Sequence, residues 1–218
     1  MFEKVISFIY TRIYYPTKPN LLGDRLIEYS FIAANIPPTK KNLLALDFGS
    51  STGEPALIAA RLGYKVHAID LLARTFHYRH KNVEFEKLDI LNMQDEPKYN
   101  LVIVCSTIEH VGLKGRYNIA NNIKDGDLKA AKKVFQLLCK GGQVILTLPV
   151  GKDGVYKNLH RVYGKERLPK LLKGFKIKKE EYWTKEQTNS WFISNKKTAL
   201  ATRSSAQFYS LGLFVLGK

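Results

Sequence analysis

The sequence predicts an α/β fold: a doubly wound, mostly parallel sheet with helices on both faces and an antiparallel strand at its C-terminal end. From residue 42 to residue 150, apolar runs of strand length alternate with helical segments, the order that gives βαβ units and a parallel sheet. Two strand-like runs, 175–183 and 207–216, then follow with no helix predicted between them, which indicates an antiparallel pair at a sheet edge. At 218 residues and 45% hydrophobic, the chain has the size and composition of one such domain.

The parallel part of the sheet rests on local patterns. Continuous apolar runs, typical of strands buried on both faces, occupy 42–48, 99–105 and 143–150. Strands are also predicted at 64–70 and 83–89, and helices at 56–62 and 127–139. Pro55 suits the first turn of the earlier helix and Gly63 its C-terminal cap.

The N-terminal segment has its own pattern. Apolar residues at helical spacing over 2–13 predict an amphipathic helix that ends before Pro16. We expect residues 1–38 to form an N-terminal helical extension that packs on or caps a single domain over 39–218. Contact with a membrane surface is the alternative.

We expect neither a signal peptide nor a membrane span, because the apolar N-terminal stretch is short and interrupted by charges. Its two cysteines, Cys105 and Cys139, exclude a disulfide scaffold and a four-ligand zinc cluster. We therefore expect a cytoplasmic protein that uses no metal.

The net charge of the chain is high and unevenly distributed. There are 35 basic and 19 acidic residues, a net charge of +16. Residues 1–110 contribute +1 and residues 111–218 contribute +15. A lysine-rich solvated surface is one explanation. The other is an anionic partner: nucleic acid, a phosphorylated metabolite or an acidic membrane surface.

Two acids mark the predicted ligand edge. Ligands of doubly wound sheets bind at the carboxyl ends of the strands, where Asp47 ends the first predicted strand and Asp70 the second. The glycine-bearing turn 49–53 lets backbone N–H groups approach a ligand. Asp70 is placed to accept both hydroxyls of a ribose. Either acid could instead only end a strand or cap a helix. The dinucleotide and triphosphate glycine motifs are missing.

Five motifs then occur in order: LDFGSSTG, Asp70, Asp89-Ile90, CSTIEHVG and LLCKGGQVILTLP. Together they resemble the class I (Rossmann-like) S-adenosylmethionine-dependent methyltransferases, from about residue 42 to the C-terminus. They are similar to a prokaryotic group, of unassigned substrate, that is thought to act on glycans or other small molecules. The resemblance implies a seven-stranded sheet, S-adenosylmethionine as cofactor and S-adenosylhomocysteine as product. Ser51 stands where the family turn has glycine. The cofactor contacts that the resemblance implies are Asp47, Gly49, Ser50, Ser51, Thr52, Gly53, Asp70, Leu71, Asp89, Ile90, Cys105 and Ser106.

Catalytic and substrate residues are expected at the same edge. His110 is the candidate base, since an imidazole titrates near neutral pH, and Glu109 would orient it or contact the acceptor. Two arginines could grip an anion and neighbouring rings could face a sugar or base, or these side chains could simply pack on the surface. The candidate substrate residues are Arg116, Tyr117, His160, Arg161 and Tyr163.

The sequence thus favours methyl transfer to a small anionic acceptor (a sugar, a glycan or a lipid-linked group), with O-methylation expected. An RNA methyltransferase that uses the basic C-terminal half is the first alternative. A non-catalytic binding protein that retains the fold is the second.

Overall fold

The computed structural model describes residues 22–73, 75–96, 98–115, 117, 119–156, 159–186, 189–205 and 209–218. The strands are β1 (Leu44–Phe48), β2 (Lys65–Asp70), β3 (Val83–Lys87), β4 (Tyr99–Cys105), β5 (Leu138–Val150), β6 (Gly154–Tyr156), β7 (His160–Val162), β8 (Lys176–Lys185), β9 (Trp191–Ser194) and β10 (Ser210–Gly217). The helices are α1 (Asp24–Asn35), α2 (Glu54–Arg61), α3 (Gly126–Leu137), α4 (Arg167–Leu171) and α5 (Lys196–Ala201), with 3-10 turns at Ile90–Asn92 and Ile108–His110.

One sheet organises the described part of the chain, with strand order β3-β2-β1-β4-β5-β10-β8-β9. The first five strands pair in parallel, and β10 inserts antiparallel between β5 and β8. The predicted fold class is confirmed. The sheet has eight strands, one more than the resemblance implied, because β9 pairs antiparallel with β8 at the edge.

The connection between β8 and β10 differs from the expectation. The two strands do pair antiparallel, but β9 and α5 lie between them, so the prediction of a connection without a helix was wrong. These elements are four and six residues long, too short to show a clear periodicity. A local cap marks the helix start, where the Asn195 side chain accepts from the Thr198 N–H at 2.8 Å.

The boundary between α3 and β5 also moves. The helix ends at Leu137 and the strand begins at Leu138, five residues before the predicted start. Pairing of Tyr99 with Leu138 extends the strand through Gly141 and Gly142 despite their weak strand propensity. The sheet therefore overrides the local preference.

Helices cover both faces of the sheet. On one face α3, α4 and α5 pack against strand residues such as Leu46, Val104 and Phe214. On the other face α1 and α2 pack against alternate positions such as Ala45 and Ile103. Helix α1 was not predicted; the helix predicted over 2–13 lies outside the described residues. Among the residues described, no helix is long and apolar enough to cross a membrane.

Candidate functional site

A cavity of about 480 Å³ lies at the carboxyl ends of β1, β2 and β4, the edge at which doubly wound sheets bind ligands. Its wall combines the turn after β1, the ends of β2 and β4, the segment around His110 and one side of α1. The lining residues are Arg25, Tyr29, Phe48, Gly49, Ser50, Ser51, Thr52, Glu54, Pro55, Asp70, Leu71, Leu88, Cys105, Ser106, Thr107, His110, Val111, Tyr117 and Ile119.

The turn after β1 forms the floor. Gly49 has φ 76°, and a Cβ atom there would lie 2.2 Å from the Thr107 side chain, so the β1 and β4 turns touch only because residue 49 is glycine. Ser51 has φ 49°, the left-handed conformation that glycine adopts easily. The serine therefore keeps the bent backbone, at a strain of about 1 kcal/mol or more. Its N–H is directed at Asp70.

Asp70 is buried at the tip of β2. One carboxylate oxygen accepts from the Ser51 N–H at 3.1 Å and the other from the Leu72 N–H at 2.9 Å. Each carboxylate oxygen can accept a second hydrogen bond. The turn after β1 and the end of β2 are thus joined through the carboxylate, which still borders the cavity.

Asp47 lies beneath the turn and does not line the cavity. It is 1% exposed, and neither carboxylate oxygen has a hydrogen-bond partner of ordinary geometry among the described residues. Burial raises the pKa of Asp47 to about 7, and the nearby Ala56 N–H only partly opposes that shift. The structure places this acid under the floor and not against a ligand. Ser50, next to the cavity, also has a buried hydroxyl without a partner in the described chain.

Helix α1 forms one wall of the cavity, and the sequence did not predict its residues as part of the site. Arg25 and Tyr29 line the cavity from successive turns. Between them Glu28 is fully buried; it accepts from Thr147 Oγ1 at 2.6 Å, from Ser106 Oγ, and pairs with the Arg25 guanidinium. Desolvation by burial lowers the pKa of Arg25, but the charges of Glu28 and of other nearby acidic groups together outweigh it and raise the pKa above its ordinary value. The only sequence signal was the spacing of Arg25 and Tyr29, four residues apart and hence on one helical face.

Burial raises the pKa of the Cys105 thiol, and Arg25 Nη1 approaches its sulfur at 3.7 Å. Ser106, the next residue, is held through its hydroxyl by Glu28. Both residues line the cavity, at the position where sequence reasoning placed them.

His110 borders the cavity with a defined ring orientation. Its Nδ1 lies 2.7 Å from the Leu159 carbonyl oxygen, which can only accept, so Nδ1 carries the proton and Nε2 is left as the basic nitrogen. Glu109, 2% exposed, places Oε1 at 3.6 Å from Nε2. Edge-on rings of Tyr117 and His160 surround the imidazole, with centroids at 5.6 and 6.2 Å. A proton gained at Nε2 would be stabilised by the Glu109 carboxylate.

Two candidate substrate residues are engaged elsewhere. The Arg161 guanidinium donates to the carbonyls of Glu109 and Val111, at 3.3 and 2.7 Å, and lies 3.4 Å from an Asp127 oxygen. The Tyr163 hydroxyl donates to Asp127 at 3.1 Å. Both are buried and neither lines the cavity; Arg161 braces the segment that carries His110, and Tyr163 is tied to the start of α3. The expectation that they face the substrate is corrected accordingly.

Four more of the predicted site residues do not line the cavity. Asp89 caps the 3-10 turn by accepting from the Leu91 N–H at 2.9 Å, and neither it nor Ile90 lines the cavity; their neighbour Leu88 does. Gly53 starts α2 behind the wall. His160 stacks on Tyr156 behind His110. Arg116 lies outside the described residues.

Residues 65–214 match the profile of a family described as "Caenorhabditis protein of unknown function, DUF268". No curated protein matches the chain.

Solved structures of methyltransferases share the fold. A 1,6-didemethyltoxoflavin-N1-methyltransferase of Burkholderia thailandensis, bound to 1,6-didemethyltoxoflavin and S-adenosylhomocysteine, has a TM-score of 0.55 at 14% identity over 98% of this chain and 84% of its own. The N-methyltransferase NodS of Bradyrhizobium japonicum WM9, with S-adenosylhomocysteine, has a TM-score of 0.59 at 13% identity over 93% and 90%.

A phosphoethanolamine N-methyltransferase 2 of Haemonchus contortus, with phosphomonomethylethanolamine and S-adenosylhomocysteine, has a TM-score of 0.56 at 18% identity over 99% of this chain and 57% of its own. At such identities the likeness concerns the fold. The described part of the chain has the Rossmann-like fold of class I methyltransferases.

Proposed function

The chain belongs to the DUF268 family, and we propose that it transfers a methyl group from S-adenosylmethionine to a small acceptor. The observation that carries the proposal is the cavity at the carboxyl ends of β1, β2 and β4. There Asp70, the bent turn 49–52 and the end of β4 meet on one wall. The fold shared with methyltransferases bound to S-adenosylhomocysteine supports the same reading.

The cavity residues fit this cofactor. S-adenosylmethionine carries its own activated methyl group on a sulfonium. Asp70 would hold the ribose hydroxyls, and the Ser50 hydroxyl, buried without a described partner, would gain one. Leu71 and Leu88 offer apolar surface for the adenine. Arg25 would pair with the carboxylate of the amino-acid end.

Asp47 lies beneath the turn that forms the floor of the cavity. Its carboxyl group is buried below the turn, and burial raises its pKa to about 7, so it is largely uncharged below about pH 6 and about half ionised at neutral pH. In the uncharged form it presents no negative charge to the cavity.

At the acceptor end His110 is the base. Its Nε2 would accept the proton of an acceptor hydroxyl, and the Glu109 carboxylate, 3.6 Å away, would stabilise the resulting imidazolium. The Leu159 carbonyl fixes the tautomer through Nδ1. Tyr117 provides a flat wall for the acceptor. The protein's main contribution is to align acceptor and methyl group and to keep water out.

We also propose that the N-terminal extension (1–38) caps one side of the domain (39–218). What supports this is α1, in the described part of the segment, whose Arg25 and Tyr29 line one side of the cavity.

The acceptor is a small molecule with a hydroxyl group, such as a sugar, glycan or lipid-linked alcohol, and O-methylation follows from the base at His110. An anionic acceptor would depend on Arg116, since Arg161 is held by Asp127 and Arg25 is assigned to the carboxylate of the cofactor. Methylation of RNA and binding without catalysis remain the alternatives.

Calorimetry with S-adenosylhomocysteine tests the proposal. We expect the wild type and Asp95→Asn, a carboxylate remote from the cavity that pairs with Lys133, to bind equally. Asp70→Ala should bind at least tenfold more weakly, with folding checked by thermal melting. A folded wild type that does not bind would refute the enzyme proposal.

The acceptor class is tested with labelled S-adenosylmethionine and fractionated cell extract. Label in a soluble glycan or lipid fraction supports the proposal. Label in RNA alone would establish the first alternative, and binding without any transfer the second.

A further inference from the structure

Lysines collect where the parallel strands begin, at the end of the sheet opposite the cavity; we call this row of strand ends the edge. In a parallel sheet the amino ends of all strands meet at one edge, and the antiparallel β10 ends there. Each of seven neighbouring strands places an exposed lysine at this edge. In sheet order they are Lys81, Lys65, Lys41, Lys98, Lys140, Lys218 and Lys176, beside β3, β2, β1, β4, β5, β10 and β8. We call these seven residues the lysine edge.

The lysine edge is wide and largely uncompensated. With neighbouring strands 4.7–4.9 Å apart, seven strands span roughly 29 Å. Within the described residues, none of the seven ammonium groups forms an ion pair with a carboxylate. Lys98 lies over the Tyr99 ring and Lys218 donates to the Leu138 carbonyl. No described carboxylate therefore neutralises the positive charge of the lysine edge by direct pairing, and this charge can act on a partner.

More basic residues flank the edge on both sides. Lys173, after α4, lies on one face; Arg61, at the end of α2, lies on the other. The positive charge thus covers the end of the three-layered domain as an area and not only as a line. Two aliphatic side chains there are also exposed: Leu44 (37%) at the start of β1 and Ile177 (42%) near the start of β8.

We propose that the lysine edge docks the protein on an anionic phospholipid surface. A basic area with exposed aliphatic side chains fits a planar membrane interface, where lysines meet lipid phosphates and apolar side chains enter the headgroup region. A nucleic-acid strand fits less well, since the described residues of this edge include no exposed aromatic ring on which a base could stack. The cavity lies at the opposite ends of the strands, so docking leaves it on the side of the domain away from the bilayer. The inference does not depend on the proposed methyl transfer.

Co-sedimentation with phospholipid vesicles tests the proposal, using the full chain at two salt concentrations. We expect binding to phosphatidylcholine vesicles that contain phosphatidylserine, weakening as salt rises, and little binding to phosphatidylcholine alone. The edge variant combines Lys65→Gln, Lys98→Gln and Lys140→Gln. At about fivefold per lysine, it should bind roughly a hundredfold more weakly.

A matched variant controls for net charge. Lys129→Gln, Lys165→Gln and Lys197→Gln remove three exposed lysines away from the lysine edge, and binding should change by less than threefold. An equal loss in both variants would show a diffuse charge effect and overturn the proposal. Absence of vesicle binding, or tight binding to RNA with none to vesicles, would overturn it too. Circular dichroism melting checks that both variants are folded.

Discussion

Glu28 offers the sharpest test of how α1 is attached. Its side chain is fully buried and joins three elements: Arg25 on α1 itself, Ser106 after β4 and Thr147 in β5. Glu28→Ala removes this acceptor. Two hydroxyl groups then lose their hydrogen bonds to a charged group, and the arginine loses its counter-ion.

The size of the effect follows from these contacts. A hydrogen bond to a charged group contributes about 1.5 kcal/mol at the low end, so the two hydroxyls account for about 3 kcal/mol. The Arg25 side chain is 43% exposed, so water can take up its charge and its pairing adds about 1 kcal/mol or less. The free energy of unfolding should therefore fall by about 3–4 kcal/mol, which lowers Tm by roughly 10 °C in a chain of this length.

Urea and thermal unfolding followed by circular dichroism measure the change. Glu84→Ala, an exposed carboxylate on β3, is the matched control and should stay within about 0.5 kcal/mol of the wild type. Glu28→Gln keeps the side-chain volume without the charge and should fall between the two. A loss below about 1 kcal/mol in Glu28→Ala would refute the idea that this carboxylate fastens α1 to the sheet.

Three further outcomes are expected. Burial raises the pKa of Asp47 to about 7, so its contribution to stability is complete below about pH 4 and is lost as pH rises through 7. In urea unfolding at pH 8, Asp47→Asn should therefore have a free energy of unfolding up to about 4 kcal/mol above that of the wild type, and the difference should vanish near pH 4. A difference that does not change with pH would contradict this. Arg25→Gln should weaken S-adenosylhomocysteine binding by about tenfold or more but spare 5′-methylthioadenosine, which lacks the amino-acid end; equal losses would place Arg25 elsewhere. His110→Gln should lower kcat by about 10²–10⁴ with cofactor affinity unchanged, and wild-type turnover would exclude it as the base.

The fold was accessible from the sequence because its signals are local. The run 99–105 and the final β4 coincide, since a strand buried on both faces must be apolar throughout. The short elements β9 and α5 were not predicted, because a segment of four to six residues is too short to show a clear periodicity. The β5 start was misplaced because pairing with β4, and not propensity, decides it.

The candidate site was predicted in outline. Asp70 and the turn 49–52 were expected together, since both follow neighbouring parallel strands, and both border the cavity. Asp47 was expected beside them, but the alternating direction of side chains along a strand places it beneath the turn. Arg161 is a further case: its charge suggested an anion, whereas a buried partner, Asp127, holds it.

The amino-acid sequence by itself determined the alternation of strands and helices, the bent turn and the acid at the tip of β2, because each depends on neighbours along the chain. The tertiary structure alone decided that Arg25 enters the cavity wall, that Glu28 ties α1 to β5, and that seven dispersed lysines meet at one edge. Those groupings join residues far apart in the sequence, and they form only when parallel pairing brings strand ends together and burial selects which polar groups must find each other.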